Sequence, residues 1–510
     1  MKVLTAAQMR DVDRRTVELG IPGIVMMENA GHRVVEFLES AFSPLAAQRV
    51  AVLCGKGNNG GDGMVVARQL HTRVRPAALH VVLLGRPEEL KGDAAANFRM
   101  LEACGCPVAR EIPGDARNAT LVVDALLGTG ISGPATGRML EGIREINQGF
   151  PLAQTVAVDI PSGLPSDSGN PLGEFARVNA TVTFTAPKVG QVLPPNCDHV
   201  GRLLVRPIGS PASLWEGNDN IFLSVVEPAM FRHLLAPRPR SGHKGTFGHV
   251  LVVGGSRGKT GAPAMAGLSA LRAGAGLVTV ASARSAIPII ASHSAEIMTE
   301  PVEETVAGGI SRSAPLPAVA EGKTIVAIGP GLGREPDIRD LVLAAAAKLE
   351  QPMVIDADAL VPDIRGGGRL RVMTPHPGEM GRLTGKTAVD VQNDRVGVAR
   401  AFAMEHDVVL VLKGQRTTIA FPDGQVWINP TGTPALGTGG SGDVLTGMIA
   451  GFLAQFPTDP RCSVAAAVYL GGLAGEIGAR DIGEKSFIAT DILRYLPQAM
   501  EACAHLPDGL

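Results

Sequence analysis

Short β-branched runs recur along this chain with helical patterns between them, and they do so in two separate series. In the first half the runs are residues 49–54 (RVAVLC), 79–84 (LHVVLL), 121–125 (LVVDA) and 155–160 (TVAVDI). Residues 63–71 and 94–104 carry helical spacing between them. A strand that is apolar on both faces belongs inside a parallel sheet covered by helices on each side. An irregular stretch at 207–220 (PIGSPASLWEGNDN) then breaks the series, and the domain boundary is expected there. A second irregular segment, 235–248, includes His243-Lys244-Gly245. The alternation resumes with runs at 249–253, 277–281, 324–328, 353–356 and 408–412. Residues 415–420 and 425–429 flank Pro422-Asp423-Gly424, a hairpin signal. The expected class is α/β in both halves.

Composition narrows the partners. The formal net charge is −2 and aromatics are 4% of 510 residues, which argues against a nucleic-acid surface. The cysteines Cys54, Cys104, Cys106, Cys197, Cys462 and Cys503 are scattered. Cys104 and Cys106 have no second pair to complete a zinc site, and a reducing cytoplasm is expected. Arg10, Asp11, Asp13, Arg14 and Arg15 interrupt any N-terminal signal segment. No uncharged apolar run reaches the roughly 20 residues of a membrane helix. Residues 464–477 come nearest, but Gly471, Gly472 and Glu476 lie among them. The apolar share is compatible with a homo-oligomer, which is the expected state.

The stretch Gly437-Thr438-Gly439-Gly440-Ser441-Gly442-Asp443 precedes a helical pattern of Val444, Leu445, Met448 and Ile449. Such a loop leaves backbone N–H groups free beside the positive end of a helix dipole, which suits a phosphate. Asp443 then stands where a carboxylate could take a proton from a hydroxyl facing that phosphate. The competing reading is a surface loop capped by an acid, but a cap needs far less glycine. Gly258-Lys259-Thr260 invites a P-loop reading, which fails because Val253 occupies the position of its first glycine. Other polar segments follow predicted strands: Gly329-Pro330-Gly331-Leu332-Gly333, Asp356 and Asp358, Thr374-Pro375-His376-Pro377-Gly378-Glu379, and Lys413-Gly414-Gln415-Arg416-Thr417.

In the first half, Gly55-Lys56-Gly57-Asn58-Asn59-Gly60-Gly61-Asp62-Gly63 formally contains G-x-G-x-x-G. The next strand, however, lacks the acid that would bind a ribose, which speaks against ordinary hydride transfer. Asn58, Asn59 and Asp62 are polar groups that a dinucleotide turn does not need. Asp124 precedes Leu127-Gly128-Thr129-Gly130-Ile131-Ser132-Gly133-Pro134, and Asp159 opens Asp159-Ile160-Pro161-Ser162-Gly163. Asn59, Asp124 and Ser162 offer hard oxygen donors, suited to an alkali or alkaline-earth cation rather than zinc. Turn-capping at each strand end is the competing reading.

These motifs carry two resemblances. GNNGGDG, LLGTGISGP and VDIPSG resemble the NAD(P)H-hydrate epimerase domain over residues 1–215. That implies a Rossmann-like three-layer αβα domain that interconverts R- and S-NADHX and NADPHX at C6. It implies substrate contacts at Asn58, Asn59, Gly60, Gly61, Asp62, Gly128, Thr129, Gly130, Ile131, Ser132, Gly133, Pro134 and Asp159, with Asp159 the acid–base candidate. It also implies potassium on Asn59, Asp124 and Ser162. Lys56 stands where the family often has proline. HKG, GPGLG, TPHPGE, KGQRT and GTGGSGD resemble the ADP-dependent NAD(P)H-hydrate dehydratase domain over residues 222–505, with a ribokinase-like fold. That implies ADP against Lys413, Gly414, Gln415, Arg416, Thr417 and Gly442, and the hydrate against Ala262, Gly333, His376 and Asp443. Magnesium is expected on the phosphates, oriented by Glu379. Two halves in one chain resemble the bifunctional NAD(P)H-hydrate repair enzymes. The rival reading is a small-alcohol kinase, for a vitamin or sugar, fused to a non-catalytic nucleotide-binding module.

Overall fold

Strand β1 (Arg49–Cys54) is buried at every residue but its first, as a strand between two helical layers must be. Its neighbours extend the pattern: β2 (Ala78–Leu83), β3 (Val108–Ala109), β4 (Leu121–Ala125), β5 (Gln154–Val158), β6 (Ala180–Phe184) and β7 (Arg202–Arg206). The computed structural model describes residues 1–505. It divides into two compact units, Met1–Leu223 and the remainder from Ser224. The first unit holds a sheet in the order β3-β2-β1-β4-β5-β6-β7, with every neighbouring pair parallel. The chain winds outward from β1 to β3, then returns to place β4 beside β1. Loops leaving β1 and β4 therefore diverge, and a crevice opens at their carboxyl ends.

The second unit repeats this logic. Its strands are β8 (Leu223–Val225), β9 (His249–Val253), β10 (Leu277–Ala283), β11 (Met298–Val302), β12 (Ile325–Ile328), β13 (Met353–Ile355), β14 (Arg371–Met373), β15 (Val409–Leu412), β16 (Thr418–Ala420) and β17 (Val426–Ile428). They lie in the order β11-β10-β9-β12-β13-β14-β15-β16-β17-β8. The pairs from β11 to β15 are parallel, and β15-β16 and β16-β17 are antiparallel. The switch point falls between β9 and β12. The expected hairpin is present, turning at Gly424 with φ +83°.

Small residues set the helix packing here. Helices Gly261–Arg272 and Ser441–Gln455 press together so closely that a Cβ at Gly447 would lie 2.0 Å from the Ala266 carbonyl oxygen. Behind them, the buried Arg371 closes the end of helix Pro336–Lys348. Its guanidinium donates to the carbonyls of Ala346 (2.9 Å), Leu349 (2.5 Å) and Gln351 (2.8 Å). Helix Pro460–Ile482 is long and apolar enough to cross a membrane, but most of it is buried in the unit's core, including Val464, Leu470 and Ala474.

The structure departs from the sequence pattern at two helix starts. The first begins at Asn58 rather than near residue 63, and the second at Ser441, so Asp443 lies inside its first turn. Glycine's poor helix propensity hides both first turns.

Candidate functional site

In the second unit, five strand ends and one helix N-terminus converge on the β9–β12 crevice. Asp356, at the end of β13, is buried and receives two donors. Lys413 Nζ, from the end of β15, lies 2.7 Å from Oδ1, and Thr446 Oγ1 donates to Oδ2 at 2.8 Å. The pair joins β13, β15 and helix Ser441–Gln455 in one network. Gly442 packs closely against this pair: a Cβ there would sit 3.3 Å from Lys413 Nζ. Gly440, with φ +96°, takes a left-handed turn that only glycine adopts freely, and the helix begins at the next residue.

Asp443 stands beside this network. Burial pushes its carboxyl up to about 6, Asp356 adds to the rise, and Lys413 opposes it. A carboxyl shifted toward neutrality in the first turn of a helix is suited to accept a proton from an alcohol.

The neighbouring loops bring in more of the expected residues. Gly333, with φ +91°, donates its N–H to Asp358 Oδ2 at 3.0 Å. Ala262, in the first turn of its helix, faces Gly331, where a Cβ would meet its methyl at 3.4 Å. His376 caps helix Pro377–Thr384: its Nδ1 accepts from the N–H groups of Gly378 (3.0 Å) and Glu379 (3.4 Å). Acceptance there places the proton of the neutral ring on Nε2. Glu379 completes the capping box by accepting the His376 N–H at 2.8 Å through Oε2. Residues 413–417 form the turn from β15 to β16. Thr417 Oγ1 donates to the Gly414 carbonyl at 2.9 Å, and Arg416 reaches the Pro430 carbonyl at 3.3 Å with φ +54°. Gln415 lies in the same turn.

Three cations here escaped the sequence reading. Lys259 Nζ lies 3.7 Å from Asp358 Oδ2, and Arg334 Nε donates to Asp358 Oδ1 at 2.9 Å, so the rejected P-loop segment still reaches the crevice. Buried Arg395 donates to the carbonyls of Leu412 (2.8 Å) and Lys413 (3.2 Å), which anchors the Lys413 turn from beneath. Burial lowers its guanidinium to about 10. Nothing in the local pattern distinguishes these from surface cations. His243-Lys244-Gly245, by contrast, is an exposed turn leading into the amino end of β9, away from the crevice.

In the first unit, Asn58 to Asp62 form the opening turns of helix Asn58–Gln69. A Cβ at Gly60 would lie 1.8 Å from the Gly55 carbonyl oxygen, and one at Gly61 2.7 Å from Met27 Sδ, so these glycines allow close packing. Asn59 Nδ2 donates to the Leu127 carbonyl at 3.0 Å, while its buried Oδ1 has no partner. Asp124, fully buried, accepts the Ser162 N–H at 2.8 Å and the Ser162 hydroxyl at 2.5 Å. Burial pushes its carboxyl up to about 6 against those hydrogen bonds. The structure therefore brings Asn59, Asp124, Ser162 and the start of the 128–134 loop together. Gly128 lies over Asn59, and the Thr129 carbonyl accepts from Ser166 at 3.2 Å. Gly130 to Pro134 continue outward as a partly exposed loop, with Pro134 against Gly173. Lys56 is an exposed side chain 4.0 Å from Glu89.

Asp159 lies one residue past β5 with φ +64°, in the left-handed region that aspartate enters more readily than most non-glycine residues. Lys188, 1% exposed, places Nζ 2.5 Å from its Oδ1, and Thr183 Oγ1 donates to the same oxygen at 3.0 Å. Gln191 Nε2 holds the Asp159 carbonyl at 2.6 Å. Two half-buried acids surround this group. Burial pushes Asp13 up to about 6, countered by Lys188, and it pushes Asp62 well above the ordinary range, reinforced by Asp159 and Asp13.

Sequence comparison matches both units. A family model described as YjeF-related protein N-terminus covers residues 23–190, and one described as NAD(P)H-hydrate dehydratase covers 250–498. The bifunctional NAD(P)H-hydrate repair enzyme Nnr of Moorella thermoacetica is 45% identical, over 98% of this chain and 97% of its own. That of Thermofilum pendens is 36% identical over 98% and 97%. Among solved structures, an ADP/ATP-dependent NAD(P)H-hydrate dehydratase from Bacillus subtilis, co-crystallized with ATP/Mg2+, matches at 32% identity. It covers 55% of this chain and 98% of that one, with a TM-score of 0.49. With near-complete coverage at 45% identity, and with an α/β crevice in each unit, the chain belongs to the bifunctional NAD(P)H-hydrate repair enzymes, an epimerase unit followed by a dehydratase unit.

Proposed function

We propose that Asp443 is the base of the dehydratase unit and Asp159 the acid–base residue of the epimerase unit. Hydroxide leaves poorly from the hydrated nicotinamide ring, so the dehydratase first converts the C6 hydroxyl to a phosphate ester. Asp443 takes the hydroxyl proton, the oxygen attacks the terminal phosphorus of ADP, and the bond to AMP breaks. The ring nitrogen lone pair then expels phosphate from C6, and loss of a C5 proton gives NAD(P)H. The Gly439–Gly442 backbone and the helix N-terminus stabilise charge on the transferred group, and Lys413 neutralises a phosphate oxygen. The turn 413–417 and Gly442 hold ADP, while Ala262, Gly333 and His376 position the hydrate. Magnesium, when bound, supplies charge neutralisation on the phosphates. Glu379 would orient such an ion through a carboxylate whose Oε2 already accepts the His376 N–H and whose Oε1 lies 3.5 Å from His376 Nε2.

In the epimerase unit, potassium fits Asn59, Asp124 and Ser162. The buried, unpartnered Asn59 Oδ1 is the oxygen such a cation would satisfy, and all three residues supply hard donors. The substrate then lies against Asn58 to Asp62 and Gly128 to Pro134, with Asp159 at C6.

The observation that carries this reading is the position of Asp443, in the first turn of a helix opening on the crevice, beside the buried Lys413–Asp356 pair. Incubation with S-NADHX and ADP tests it. NADH, AMP and phosphate should appear in equal amounts. A stable phosphorylated product without NADH would instead identify a small-alcohol kinase.

A further inference from the structure

The Asp159 site contains a buried lysine that no motif predicted, and its bonding fixes what it can do. An ammonium has three donors. Lys188 directs them at Asp159 Oδ1 (2.5 Å), Thr183 Oγ1 (2.8 Å) and the Phe184 carbonyl (3.1 Å). Every donor is used and the side chain is 1% exposed, so no hydrogen is left for a substrate. Thr183 in turn donates to the same Asp159 oxygen. Among the described residues no donor reaches Asp159 Oδ2, and the side chain is 16% exposed. One oxygen is clamped by two donors, and the other is open.

We propose that Lys188 and Thr183 are positioning residues that lock Asp159 through Oδ1 and present Oδ2 as the single proton-transfer atom of the epimerase. The inference rests on the assignment of Asp159 made above. It also excludes the other chemistry open to a lysine here. C6 carries both the hydroxyl and the ring nitrogen. Taking the hydroxyl proton lets the C6–N1 electron pair pass to nitrogen and opens the ring to a C6 aldehyde. Rotation about C5–C6 and reclosure, with the proton returned to oxygen, gives the other epimer with all atoms retained. A free lysine would condense with that aldehyde. Lys188, held by three acceptors, does not.

Separate variants of the full chain distinguish the clamp from the reading beneath it. Epimerisation is followed as loss of R-NADHX once ADP has consumed the S form, and the dehydratase serves as an internal control. Asp159→Asn should abolish epimerisation; if it does not, the underlying assignment fails. Thr183→Val should lower kcat about tenfold with KM within about threefold, and Lys188→Met should lower kcat by about 100-fold or more. Thr183→Ser, which restores the donor, should recover most of the rate. The clamp is overturned if Asp159→Asn is inactive while Thr183→Val turns over normally, or if Ser fails to rescue where Val is impaired. A covalent adduct on Lys188 trapped by cyanoborohydride during turnover would overturn it as well.

Discussion

Replacing Asp443 with asparagine should remove activity and add stability, a combination that separates a catalytic acid from a structural one. The carboxyl is raised from an ordinary 3.8 to about 6, chiefly by burial. A folded-state value above the unfolded one means that the folded protein binds the proton more tightly. Stability is therefore fully retained below about 3.8, declines as pH rises toward 6, and carries a constant penalty above it. A rise of that size corresponds to about 3 kcal/mol at most. Asp443 is only half-buried, and screening reduces this to ~1–2 kcal/mol. The amide has nothing to ionise. The dehydratase unit of Asp443→Asn should thus melt roughly 2–6 °C higher than wild type at pH 8. At pH 4 the two should coincide. The same variant should lose about 10²–10⁴-fold in ADP-dependent NADH formation, the usual contribution of a general base. Differential scanning calorimetry at both pH values, paired with reduced-nicotinamide absorbance, measures both quantities. A rate within tenfold of wild type, or a melting point at pH 8 no higher than wild type, would rule out the role assigned to Asp443.

Other outcomes follow from the same geometry. Asp13→Asn should stabilise the epimerase unit above pH 6 and not below pH 4, because burial lifts that carboxyl to about 6 as well; thermal scans across pH check this. Potassium should raise the melting point of the epimerase unit more than lithium does at equal ionic strength, and Asn59→Ala should erase the difference. Gly447→Ala should cost about 1–3 kcal/mol in denaturant melts, because its methyl has no room against Ala266.

The glycine-rich loop that opens helix Ser441–Gln455 was legible because glycine density, a terminal acid and apolar helical spacing occur within a dozen residues. The parallel strands β1, β4, β9 and β15 were legible because burial on both faces makes them continuous apolar runs. β6 was not, since it alternates threonine with apolar residues. Its Thr181 hydroxyl is satisfied by the Val200 carbonyl, a contact across the fold that no local pattern encodes. The same limit hid the Asp159 clamp. Lys188 follows a proline in an ordinary turn, and Asp13 read only as one of the charges that interrupt an N-terminal signal segment. Arg395 and Arg371 look like surface cations until the carbonyls they cap are placed around them. Local chemistry announces a glycine-rich loop at the start of a helix. It does not announce a side chain whose partners come from distant strands.

The proposed mechanism has two separate acids, Asp159 and Asp443, acting in sequence on one damaged cofactor. An equal mixture of R- and S-NADHX, supplied with excess ADP and followed to completion, tests it. The wild-type chain should return all of it as NADH. The Asp159→Asn chain should stop near half, leaving the R form, and addition of the Asp443→Asn chain should restart conversion. Full conversion by Asp159→Asn alone at the wild-type rate, or failure of the two variants to complement each other, would show that the two acids do not divide the work in this way.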